Sequence, residues 1–141
     1  MLELMILLAI AVAAYMAWNI GANDVANAMG TSVGSGALTL RNAIIIAAVF
    51  EFCGAFFAGD AVTDTVRKGV LVISEEEMAS LSRELQYGFI AAMLAAALWI
   101  TVATRYGLPV STTHSIIGGI IGFGLFIDPT LIDFQKVGQI V

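Results

Sequence analysis

An all-α integral membrane protein is the fold class that this sequence predicts, on three observations. Of its 141 residues 60% are hydrophobic and 12% charged, with a mean hydropathy of +0.94. Apolar windows recur at 4–20, 40–58 and 87–103, each near the roughly 20 residues a helix needs to cross the hydrocarbon core. The polar residues between them are gathered into a few short stretches, and a buried amide or ionisable group there has to be matched by a partner or a ligand. A net charge of −5 with 6 basic residues leaves no basic patch, which excludes nucleic acid as a partner. Cys53 is the single cysteine, and its apolar setting suits packing rather than chemistry.

The first window, Leu4 to Ile20, lacks the positive region of a cleaved signal, since its only early charge is Glu3; it reads as a retained helix. The next stretch, GANDVANAMGTSVGSG at 21–36, sets Asn23, Asp24 and Asn27 close together. The spacing 23/27 and 24/27/31 puts these side chains on neighbouring helical positions. Glycines at 21, 30, 34 and 36 predict a bent or broken helix whose freed backbone groups would face a ligand.

Leu40 to Ala58 is the second span, with Glu51 well inside it. A glutamate at that depth is expected to be protonated, paired, or close to a cation. A hydrophilic connection follows near 60–83, holding Asp60, Asp64, Arg67, Lys68 and the run Glu75-Glu76-Glu77. Ser74 and Glu77 fit a capping box on a short aqueous helix, and the acidic run reads as a solvated face. The alanine-rich third span, Tyr87 to Ala103, suits close helix packing. Arg41 and Arg105 fall on one side and Arg67, Lys68 and Arg83 on the other, so basic residues do not orient the chain.

The last informative segment is GLPVSTTHS at 107–115, followed by apolar residues to Ile127. Pro109 is expected to open a helix at its first turn, with Ser111, Thr112, Thr113 and Ser115 beside unpaired backbone N–H groups. The apolar part is too short to cross the membrane and predicts a re-entrant helix, closely packable at Gly118, Gly119, Gly122 and Gly124. Asp128-Pro129 predicts a turn into a further element.

The two polar centres suggest coupled binding. Hydroxyls and N–H groups at a helix start attract an anion, and Asn23 and Asn27 add amide donors. Asp24 repels an anion and attracts a cation, so the pair is explained when a cation sits between Asp24 and the anion. His114 either donates to the anion, titrates, or bonds locally. A hydrolase reading fails for want of a nucleophile elbow or phosphate loop. A zinc site is unsupported, with His114 and Cys53 at unrelated positions. The competing classes are an ion channel on the same broken helices, and a nontransporting membrane receptor or assembly subunit.

GANDVANAMGTSVGSGALT at 21–39, Glu51 with Gly54, and GLPVSTTHSIIGGIIG at 107–122 together resemble the PiT family of inorganic phosphate transporters, over nearly the whole chain. The resemblance implies a secondary transporter, not an enzyme, that moves inorganic phosphate with sodium or protons as the coupling ion and needs no other cofactor. It implies two halves of inverted topology with phosphate between them, of which residues 1–141 would be the N-terminal portion and one partial inverted-repeat unit. Carried onto this sequence, Ser111, Thr112, Thr113, Asn23 and Asn27 would hold phosphate. Asp24 and Asn27 would hold the cation, as metal ligands when that cation is sodium, with Glu51 in support. The expected partners are phosphate, the coupling ion, and the absent second half, or a second copy of the chain as a homodimer. The expected location is the cell membrane.

Overall fold

The computed structural model describes residues 2–69 and 81–140, all of its regular elements helical. Helix α1 covers Leu2–Gly34, α2 Leu40–Gly69, α3 Ser82–Arg105 and α4 Thr112–Ile127; a 3-10 turn at Pro129–Leu131 leads into a short α5, Phe134–Ile140. Three of these are long and apolar enough to span a membrane, over Glu3–Gly34, Leu40–Asp60 and Arg83–Arg105, whereas Thr112–Ile127 is shorter. The α-helical membrane architecture is therefore the one expected from the apolar windows.

Two element boundaries differ from expectation. Helix α1 is not broken at the glycines but runs without interruption to Gly34. Each interior glycine costs about 1 kcal/mol of helix propensity, whereas a backbone group left unpaired in lipid costs several, so the continuous ladder wins. The chain turns only at Gly36, whose φ of 78° is a left-handed geometry that glycine adopts freely. Helix α2, for its part, continues past Ala58 to Gly69. The capping box at Ser74 and the acidic run lie outside the described residues.

The core has two centres. Ala92 on α3 packs with Ile117 and Ile120 on α4 and with Ile132 beyond it. Met16 on α1 meets Ala96, Ala97 and Ile100 of α3. The alanines permit this close approach, and one glycine enforces it: a Cβ on Gly119 would lie 2.6 Å from the carbonyl oxygen of Ala92. Helix α2 packs mainly on α1, and leaves Phe50, Phe52, Phe56 and Phe57 exposed.

Candidate functional site

Helix α1 presents polar side chains to two neighbours at once. Successive helical residues point about 100° apart, so Asn23 faces α3 while Asp24 faces α4. The Asn23 amide donates to Thr104 Oγ1 at 3.0 Å, and the Thr112 hydroxyl donates to Asp24 Oδ2 at 2.8 Å. Asn27, one turn on, donates its amide to Asn23 Oδ1 at 3.1 Å. Asn23 and Thr112 are buried, Asp24 is half-buried, and Asn27 is exposed. A cavity of about 320 Å³ opens beside them, lined by Asn23, Asn27, Thr104 and Pro109 among others.

Helix α4 starts at Thr112 rather than at Pro109. Gly107, with a φ of 66°, reverses the chain after α3, and proline disfavours helical geometry in the residue before it. Ser111 is then the N-cap, its Oγ accepting the His114 backbone N–H at 3.2 Å. The same oxygen lies 2.6 Å from His114 Nδ1. The Ser111 oxygen can accept both bonds or pass its one proton to Nδ1, according to the imidazole tautomer. Ser115 donates back to the Ser111 carbonyl at 2.8 Å. The Thr113 hydroxyl makes no hydrogen bond among the described residues.

The residues singled out by sequence therefore divide. Asn23, Asp24, Asn27, Ser111, Thr112 and Thr113 gather where α1 passes the end of α3 and the start of α4. Glu51 does not join them: it is exposed on α2 and makes no hydrogen bond among the described residues. Thr104 and Thr101 on α3, and Tyr15 and Asn19 on α1, are not among the site residues that the sequence singles out. Their signal was there, since residues 15, 19, 23 and 27 form a polar stripe at four-residue spacing in an apolar helix.

Chemically, the group is rich in oxygen. Asp24 uses one oxygen on Thr112, and its other has no hydrogen bond among the described residues. The Asn27 carbonyl oxygen is in the same position. These oxygens are hard ligands of the kind a small hard cation takes, and no cluster of three His, Cys, Asp or Glu exists among the described residues. Two of the donors are engaged, Thr112 on Asp24 and Asn23 on Thr104, while the Thr113 hydroxyl makes no hydrogen bond among the described residues.

Comparison with known proteins gives this arrangement its context. The model of the phosphate transporter family matches residues 20–141. The chain is 56% identical over 111 residues, 79% of its length, to the chloroplastic inorganic phosphate transporter 2-1 of Arabidopsis thaliana, of which it covers 19%. It is 48% identical over 137 residues to a Thermococcus kodakarensis protein named "Putative phosphate permease", covering 96% of this chain and 33% of that one. A solved structure, "The sodium-dependent phosphate transporter", superposes with a TM-score of 0.86 at 42% identity, over 96% of this chain and 33% of that chain. The chain thus spans about a third of the length of the relatives it matches first. With its long apolar helices, it is a multi-pass membrane protein, and it belongs to the phosphate transporter family.

Proposed function

We propose that this chain forms part of the binding cavity of a cation-coupled symporter of inorganic phosphate. The observation that carries this reading is the 2.8 Å bond from Thr112 to Asp24, which ties the anion-attracting segment to the one acidic group of the site. While Asp24 is bare, it holds the Thr112 proton and repels phosphate. Two like charges 4 Å apart repel by about 4 kcal/mol at an effective dielectric constant of 20. A cation bound by Asp24, with the Asn27 carbonyl oxygen assisting, removes that repulsion and weakens the claim of the carboxylate on Thr112. The hydroxyl is then free to turn to phosphate, beside Thr113 and the unpaired N–H groups of the first turn of α4. By reciprocity, phosphate strengthens cation binding as much as the cation strengthens phosphate binding.

Asn23, Asn27 and Ser111 join as further donors, and Glu51, away from this group on α2, takes no part. Sodium is the preferred coupling ion, because a relative with 42% identity carries sodium dependence in its name. In this reading α4 is re-entrant, as its 16 residues reach only about 24 Å against roughly 30 Å of hydrocarbon. The chain then supplies one unit of an inverted repeat and a second unit closes the cavity. The test is labelled phosphate uptake by the complete transporter in liposomes, with sodium and pH gradients imposed separately. Uptake under the sodium gradient alone is expected. Uptake under the pH gradient alone would replace sodium by a proton, and current without phosphate flux would replace the symporter by a channel.

A further inference from the structure

Beside the binding group, on its α3 side, lies a second set of hydrogen bonds that the transport reading does not use. The Thr101 hydroxyl donates to Asn19 Oδ1 at 2.7 Å and to the Ala97 carbonyl at 2.9 Å, sharing its one proton between them. Tyr15 OH is paired with the same Thr101 oxygen, and since the Thr101 proton is committed, Tyr15 is the donor. The Asn19 amide donates to the Tyr15 carbonyl at 2.9 Å. Asn19 is 3% exposed and has both ends of its amide satisfied. It contributes nothing to the cavity, whose lining begins further along α1.

We infer that Asn19, through Thr101, is a positioning residue for transport: it fixes the rotation of α1 on α3 so that Asp24 meets Thr112. The inference rests on the symport reading above. Among the described residues helix α1 is held to α3 by two polar rungs, Thr101 with Asn19 and Tyr15, and Asn23 with Thr104. The second is inside the site, and it opens whenever Asn23 turns to phosphate. The first then remains to hold the helix. Side chains lie about 5 Å from a helix axis, so a 20° rotation of α1 would move the Asp24 carboxylate by roughly 2 Å. That takes the 2.8 Å bond to Thr112 outside hydrogen-bond range.

The chemistry permits a clean test. Asn19→Leu leaves no orphan, because Thr101 keeps the Ala97 carbonyl and Tyr15 keeps Thr101. In the complete transporter, reconstituted in liposomes, Asn19→Leu is expected to raise the phosphate KM about three- to tenfold with kcat within about twofold. Asn19→Ala, a smaller change, is expected to do the same and serves where the leucine variant does not assemble. Thr101→Ser keeps the hydroxyl and should keep the wild-type KM. The decisive measurement repeats Asn19→Leu in a Thr112→Val background. A residue acting through the Asp24–Thr112 bond adds no further loss there, whereas additive losses would reduce Asn19 to a structural role and overturn the inference. An unchanged KM in Asn19→Leu, with Thr112→Val impaired, overturns the inference alone. An unchanged KM in Thr112→Val itself overturns the site reading and the positioning role together.

Discussion

Thr112 has a single hydroxyl proton, and Asp24 holds it. Thr112→Val removes the donor while nearly keeping its shape, and hydrogen bonds to charged groups are worth about 1.5–3 kcal/mol. The complete transporter should therefore show a phosphate KM raised about ten- to a hundredfold, with Thr112→Ser within about threefold of wild type; equal KM values for all three would remove Thr112 from the contact. Asp24→Asn keeps an acceptor for Thr112 but discards the charge, so its uptake should fall at least about tenfold and lose its dependence on sodium concentration. Normal coupling in that variant would take the cation away from Asp24. The sequence made Asp24 and Thr112 legible because charge and hydroxyl clusters stand out against an apolar chain. Asn19 was legible only as one step of a polar stripe, and its pairing with Thr101 follows from the packing of α1 on α3. The sequence also did not show that Ser111 caps α4, its Oγ accepting the His114 backbone N–H and lying beside Nδ1.

At the level of helices, close approach rather than propensity decides what is tolerated. A Cβ on Gly119 would press on the backbone of Ala92, at 2.6 Å from its oxygen, while one on Gly88 would meet the ring of Phe123. Backbone yields less readily than a side chain, so Gly119→Ala is expected to cost about 1–3 kcal/mol and Gly88→Ala less, as read from thermal denaturation of the detergent-solubilised transporter. A larger loss from Gly88→Ala would mean that the α3–α4 contact is set elsewhere. Beyond the end of α4, Asp128 Oδ1 accepts from the backbone N–H and hydroxyl of Thr130, both at 2.8 Å. Those bonds, backbone first, lower its carboxyl pKa. With the folded value below the unfolded one, this stabilisation is present above the ordinary carboxylate range and disappears as pH falls through the lowered value. The number and order of helices could be read from apolar windows alone. The continuity of α1 could not, because it depends on what an unpaired backbone group costs in lipid rather than on the glycines themselves.

For the molecule as a whole, the proposed symport reading turns on what surrounds the candidate site. This chain corresponds to about a third of its relatives' length, and its side chains are unevenly covered. The α3–α4 side is packed, while α2 leaves Phe56 and Phe57 at 73% and 81% exposure and packs mainly on α1. Lipid covers such aromatics as readily as protein does, so exposure alone does not demand a partner. On the proposed symport reading the candidate site does, because Asn27, Ser111 and Thr113 are exposed and a charged substrate crossing hydrocarbon would have to be enclosed on every side. Residues 1–141 alone, reconstituted in liposomes, are therefore expected to give no phosphate uptake above empty vesicles under a sodium gradient. Co-expression with the remaining two-thirds of a full-length relative as a separate polypeptide should restore it. Gradient-driven uptake by 1–141 alone would instead mean that copies of the chain close the cavity, and cross-linking should then trap a homodimer in the transporting fraction.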